Sequence, residues 1–257
     1  MQRILPLLAS MLQCNMRFRR HINSLAGIAG LGLICLGLLG CSSYRGISIR
    51  SSNEIVAEAF LSAALGREGR FSDDVLSKWC GPVGVALPGR VPAARRNSVL
   101  RELEALSGLT AVDFREGAAP GIQLHYPVTA REREALISSL PISSPAARRR
   151  VASARCYFVL QADTATGCLT RADVVLPAEL GDQSFAHCVA EEFGQAMGLP
   201  YDVDAGDGSI FSRTGRAAAR TPLDDLFLKL LYDGALKPGS TRAALEQVVP
   251  GLVDRHR

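Results

Sequence analysis

Apolar residues recur at helical spacing through "NEIVAEAFLSAAL" (53–65), with Asn53 placed to cap the first turn. The period is lost in "KWCGPVGVAL" (78–87), which reads as a strand. It returns in "AARRNSVLRELEALSGL" (93–109), an amphipathic helix that Gly108 is positioned to stop. Two short β-rich stretches follow, "TAVDF" (110–114) and "GIQLHYPV" (121–128). "TAREREALISSL" (129–140) is helical again and starts on a threonine cap with acidic residues in its first turns. Beyond a Pro/Ser/Arg loop at 141–150, "RCYFVLQAD" and "LTRADVVLP" flank "TATG" with the length and composition of a β-hairpin. Helices interleaved with short strands, without internal repeats, predict one mixed α/β (α+β) domain over 53–257.

Residues 1–52 pattern differently. Arg17, Arg19 and Arg20 precede "LAGIAGLGLICLGLLG", a Gly-broken apolar run too short to favour a stable membrane span, and the run ends at Cys41. This is the layout of a secretory signal over 1–40, with Met11 or Met16 as a plausible start. "LLGC" resembles the lipobox of bacterial lipoproteins, which implies cleavage before Cys41 and lipidation of that residue. Membrane attachment through the lipid at Cys41 and a periplasm-facing place in the bacterial cell envelope follow from the resemblance, and Ser42 favours the outer membrane. The polar stretch over 41–52 reads as a short tether.

A net charge of +4 is modest. The runs Arg95–Arg96 and Arg148–Arg150 are short enough to be solvated faces, so no nucleic-acid partner is expected. The cysteines change the picture more. Beyond Cys41 the chain carries Cys80, Cys156, Cys168 and Cys188, an even set that an oxidising compartment would join into one or two disulfides. All three complete pairings stay open, and without a close C-x-x-C pair a structural zinc site is not expected.

Candidate chemistry lies in "EEFGQAMGLPYD" (191–202). On a helix, Glu191, Gln195 and Gly198 fall near one face, while Phe193, Ala196, Met197 and Leu199 supply packing. Polar side chains at i and i+4 can meet at one point, the spacing at which H-E-x-x-H helices hold zinc. Gly198 ends the helix and lets the chain turn Tyr201 back towards that point. In this register the stretch resembles the metzincin pattern H-E-x-x-H-x-x-G-x-x-H. Glu191, Gln195 and Tyr201 occupy the three histidine positions, Glu192 the general base, Gly198 the glycine and Asp202 the aspartate that often follows. "GSIF" (208–211) resembles the Met-turn segment with Phe211 in the methionine's place, and "TPLDDLFLKLLYD" (221–233) resembles the final helix of matrixin-type domains. The resemblance implies a zincin-like fold with a twisted mixed sheet, an active-site-type helix and a C-terminal helix. Over residues 55–240 the chain is more closely similar to a proteobacterial family of unknown function rich in candidate lipoproteins, a likeness that implies no activity.

The donor set decides the expected function. Zinc is held by imidazole, thiolate or carboxylate donors about 2 Å away, and this register offers one carboxylate, a carboxamide and a phenol. Without a metal to activate water, Glu192 acting alone as a base hydrolyses amides poorly. His187, one turn before Glu191, is off the ligand register and reads as a helix-entry histidine bonded to backbone, and His125 as a packed or surface residue. Asp202, Asp204 and Asp207 with Gly206 lack the spacing of an EF-hand loop and read as an exposed turn, which leaves calcium and zinc open without requiring either. No G-x-S-x-G elbow, phosphate-binding glycine loop or cysteine-protease motif is present. The expectation is therefore a noncatalytic module without a cofactor or bound metal, engaging a peptide or an envelope protein or serving envelope assembly. The alternative is an atypical metal-dependent hydrolase with Glu191, Gln195 and His187 or Tyr201 as ligands and Glu192 as general base.

Overall fold

The structure, a computed structural model, describes residues 52–66, 75–117, 120–142, 144–204, 208–213 and 217–257. The signal segment, Cys41, the tether before Ser52, Gly206 and Asp207 lie outside the described residues. In chain order the elements are α1 (Ser52–Leu65), β1 (Val83–Ala86), α2 (Ala93–Thr110), β2 (Phe114–Glu116), β3 (Pro120–His125), α3 (Ala130–Ser139), α4 (Pro145–Ser153), β4 (Tyr157–Ala162), β5 (Leu169–Val175), α5 (Asp182–Gln195), α6 (Pro222–Tyr232) and α7 (Arg242–His256). Among the described residues no helix is long and apolar enough to cross a membrane.

The strands form one mixed sheet in the order β2-β1-β3-β5-β4. β1 runs parallel to β2 and β3, and β3 parallel to β5, while β4 alone is antiparallel, paired to β5 from Tyr157↔Val175 to Ala162↔Leu169. Alternation along the strands sends Ile122, Leu124, Ala172 and Val174 to one face. There they meet Phe60, Val99, Phe185, Phe227 and Val249 from α1, α2, α5, α6 and α7 in the main core. The other face is covered near β4 and β5, where Tyr157 and Val175 pack with Leu136 of α3 and Val151 of α4.

Several sequence expectations are corrected in detail. Asn53 does not cap α1. It lies inside the first turn and bonds Asp254 of α7 and Arg257 just after it, tying the first helix to the last. Only 83–86 of the predicted strand 78–87 joins the sheet, because Lys78 is diverted. Its main chain pairs with Gly167 and Leu169, and its buried Nζ donates to the carbonyls of Leu231, in the last turn of α6, and Leu236, beyond it, at 3.0 and 2.6 Å. Gly108 does not stop α2. The helix runs to Thr110 and ends at Ala111, which takes the left-handed conformation (φ 57°) that glycine usually supplies, so β2 starts at Phe114 rather than Thr110. Within the predicted loop 141–150, Ser144 accepts from Ala147 N at 3.0 Å and Pro145 follows at the first helical position, which starts α4. The Thr129 cap of α3 and the β4–β5 hairpin form as expected.

Two disulfides fasten this frame. Cys80–Cys168 (Cα separation 5.6 Å) joins the segment before β1 to the residue before β5. Cys156–Cys188 (6.1 Å) joins the residue before β4 to the middle of α5.

Candidate functional site

Along α5, Phe185, Val189 and Phe193 are buried in the core, while His187, Cys188, Glu191, Glu192 and Gln195 line a cavity of about 380 Å³. These five occupy two adjacent i, i+4 stripes, so one side of the helix presents its polar groups together. Ala154 to Phe158, leading into β4, form the opposite wall, and Pro200 and Asp202 close one end.

The end of α5 is fixed by close packing. A Cβ on Gly194 would stand 2.9 Å from the ring of Phe211, so the fully buried Phe211 lies directly against the helix backbone. After the last turn, Trp79 Nε1 donates to Ala196 O at 3.1 Å and Tyr232 Oη to Met197 O at 2.9 Å. Gly198 then takes φ +119° with the carbonyl of Ser77 where a side chain would stand. The chain doubles back through Leu199, Tyr201 N bonds Ala63 O at 3.1 Å, and Asp202 returns to the cavity beside Gln195.

Charge is unevenly distributed across this surface. His187 donates from Nδ1 to Ala217 O at 3.0 Å, which aims Nε2 at Glu191 Oε2, 3.2 Å away. The Glu191 carboxylate, helped by the Ala217 bond, raises the His187 pKa above the usual imidazole value against the opposing effects of burial and Arg155. Glu192 is only 4% exposed and makes no hydrogen bond among the described residues. Burial first, then the charges of Glu191 and Asp202, push its carboxyl well above the ordinary range. Burial and Glu191 also raise Asp202, although a bond with Gln195 partly offsets this.

Of the sequence-predicted residues, Glu191, Glu192, Gln195 and Asp202 meet at the cavity; Tyr201 is not among the lining residues. Gly198 and Phe211 shape the site from behind. The three positions of the metzincin register do not fit its zinc ion: Gln195 offers a carboxamide already engaged by Asp202, Tyr201 is not among the residues lining the cavity, and Glu191 alone supplies a good donor. His125 belongs to a separate network on the other sheet face, with Nε2 2.7 Å from the buried Asp173, which Arg171 also binds. Burial would raise the Asp173 pKa, but hydrogen bonds from Arg171 and His125 outweigh it and hold the carboxyl at about 2. Sequence reasoning missed the wall formed by Arg155, Tyr157 and Phe158 and the disulfide within the cavity. The available signal was the Cys188–Glu192 spacing of four, which places both on one side of a helix.

The Glu192 environment carries a pH prediction. A carboxyl with a raised folded pKa binds more protons folded than unfolded, so its contribution declines as pH rises from the ordinary value near 4.5 towards the folded one. Glu192→Gln should match the parent in acid and become progressively more stable than it towards pH 8, measured by urea melts across pH. A constant difference between the two melts would contradict this account.

Sheet order and cavity together define a class: a mixed α/β domain in which the sheet's last strand among the described residues borders a polar cleft beside a buried helix. The chain belongs to the family described as Protein of unknown function (DUF2927), which matches residues 53–251. No curated protein matches the chain.

Proposed function

We propose that the chain is a lipid-anchored protein of the bacterial envelope whose metzincin-like domain binds an extended peptide without cleaving it. One observation carries the binding reading. The sheet ends at β4, whose outer side has no strand partner among the described residues, and the start of the same strand, Tyr157 and Phe158, lines the cavity with Glu191, Glu192 and Gln195. An extended peptide can add its backbone to such an edge while one side chain enters the adjoining pocket. Glu191, Glu192 and Asp202 offer carboxyl oxygens to an entering side chain, and a cation among them would favour their ionised forms, which favours lysine or arginine in the pocket.

The metzincin-like reading draws support from a single antiparallel edge strand beside the motif helix and from Phe211 packed beneath that helix at Gly194. The noncatalytic reading draws support from the donor set, which puts a carboxamide and a phenol at two of the three ligand positions of the metzincin register. Two disulfides suit an oxidising compartment, and the sequence around Cys41 supports attachment by lipid.

The test uses the full chain against a randomised octapeptide library. Peptides bearing Lys or Arg should be enriched and recovered intact, and N-methylation of alternate peptide amides should weaken binding at least about tenfold, since it removes main-chain donors. Cys41→Ser should lose lipid labelling. Failure to enrich any peptide, or indifference to N-methylation, would dismiss strand addition. Peptide cleavage abolished by Glu192→Gln would instead favour the hydrolase alternative.

A further inference from the structure

The disulfide Cys156–Cys188 lies within the wall of the cavity rather than behind it, since both cysteines line the space. The Sγ of Cys156 and one carboxylate oxygen from each of Glu191 and Glu192 lie within 4.8 Å of one another. Cys188 is three residues before Glu191 and four before Glu192, so the helix presents all three in one direction towards Cys156. While the sulfurs are bonded to each other neither is a thiolate, and the thiolate is the form that ligates metal. Glu192 supplies a second, independent observation: a side chain 4% exposed, facing the cavity, that makes no hydrogen bond among the described residues. A largely buried carboxyl that faces a cavity without a hydrogen-bond partner marks a place where a ligand can supply the missing interaction.

We propose that reduction of Cys156–Cys188 opens a site for one thiophilic divalent metal ion, of the Zn²⁺ class, held by Cys156, Cys188, Glu191 and Glu192. Two thiolates and two carboxylates make a four-donor set for tetrahedral zinc, with ligand atoms roughly 3.3–3.8 Å apart around bonds of about 2.0–2.3 Å. Cys156 Sγ and the two carboxylate oxygens must close by about 1 Å, while the two sulfurs, once reduced, move apart. Thiolates select zinc over calcium or magnesium, which prefer all-oxygen shells. His187 becomes the outer partner that orients Glu191, the bond it already makes.

The reductant is a dithiol. Its thiolate attacks Cys156 Sγ, on the less buried of the two cysteines, 9% exposed against 0% for Cys188. The Cys156–Cys188 bond breaks and Cys188 leaves as a thiolate. The second thiol of the reductant, deprotonated, attacks the mixed disulfide and releases the Cys156 thiolate. Two electrons pass to the protein, the dithiol becomes a disulfide, and its two protons go to solvent when zinc takes both thiolates. Reoxidation expels the metal, so occupancy follows the redox state of the compartment. This site is independent of the peptide reading: zinc is assayed on the reduced chain and peptide on the oxidised one, and either can fail alone.

The experiment titrates the full chain with Zn²⁺ against a chromogenic chelator, before and after anaerobic reduction by a phosphine, and repeats the titration with Co²⁺. Reduction should create one site per chain that binds zinc at least about 100-fold more tightly than the oxidised protein, because it adds two thiolate donors. Co²⁺ should show thiolate-to-metal charge-transfer absorption. Cys188→Ser should lose the site, Glu192→Gln should weaken it at least about tenfold, and Cys80→Ser/Cys168→Ser should retain it. Circular dichroism accompanies each titration. If reduction unfolds the chain, refolding on zinc addition supports the site, and continued unfolding with zinc overturns it. Equal zinc affinity in both redox states, absence of the charge-transfer band, or loss of binding in the Cys80/Cys168 variant also overturns it.

Discussion

Gly198→Ala should destabilise the domain by at least about 4 kcal/mol, lowering Tm by roughly 10 °C for a chain of this size. Two separate causes combine. Gly198 holds φ +119°, a backbone conformation that side-chain-bearing residues rarely adopt, and a Cβ there would stand 2.0 Å from the carbonyl oxygen of Ser77. Ser77 cannot yield cheaply. It leads directly into Lys78 and Trp79, whose side chains hold carbonyls at the end of α6 and just past the end of α5. Moving Ser77 disturbs both anchors. Gly194→Ala provides the contrast: its Cβ would meet only the Phe211 ring, at 2.9 Å, and a side chain can shift at an overpacking cost of about 1–3 kcal/mol. Thermal melts of the two variants should rank Gly198→Ala well below Gly194→Ala. The reverse order would mean that the turn after α5 is not anchored as described.

The sequence was most informative where local chemistry decides local structure. The Thr129 cap, the hairpin around "TATG" and the helix at 221–233 depend on residues within a few positions of one another, and each forms, although the helix at 221–233 is not the final one that the resemblance implied, because α7 follows it. It was least informative where distant partners decide. Asn53 has the chemistry of a cap, but Asp254 and Arg257 claim its side chain from the far end of the chain. Gly108 reads as a stop, yet Thr110 Oγ1 bonds Leu106 O at 2.7 Å and the helix continues through it to Ala111. At the site, helical spacing predicted the convergence of Glu191 and Gln195. The turn after Gly198 depends on Ser77, Trp79 and Tyr232, so local sequence could not show that Asp202 rather than Tyr201 would line the cavity. The disulfide pairing was equally inaccessible, since it requires knowing that β4 begins alongside α5.

Asp224→Ala should cost about 3–5 kcal/mol, while Asp224→Asn should cost about 1–2 kcal/mol. Asp224 is fully buried in the first turn of α6, and its two carboxyl oxygens divide the work. Oδ1 accepts from Ser209 Oγ at 2.5 Å. Oδ2 accepts from Ile210 N at 2.9 Å and from Thr221 N and Oγ1 at 2.7 and 2.9 Å, completing a capping box. Ser209 Oγ in turn accepts from Phe211 N at 3.0 Å. One carboxyl therefore fixes the turn that places Phe211 against Gly194, underneath the cavity-lining face of α5. Alanine leaves the buried Ile210 amide and the Ser209 hydroxyl without their acceptor, and each unsatisfied group carries a penalty of about 1–3 kcal/mol. Asparagine retains one acceptor oxygen for the Oδ2 contacts and loses chiefly the bond to Ser209. Chemical denaturation gives the ranking, and hydrogen exchange at the Ile210 and Phe211 amides locates the effect. Both amides should lose protection in Asp224→Ala beyond what the global destabilisation accounts for. If exchange instead rises uniformly, or if Asn is as damaging as Ala, then the 209–211 turn is held by its apolar packing, and Phe211 rather than Asp224 sets the position of α5.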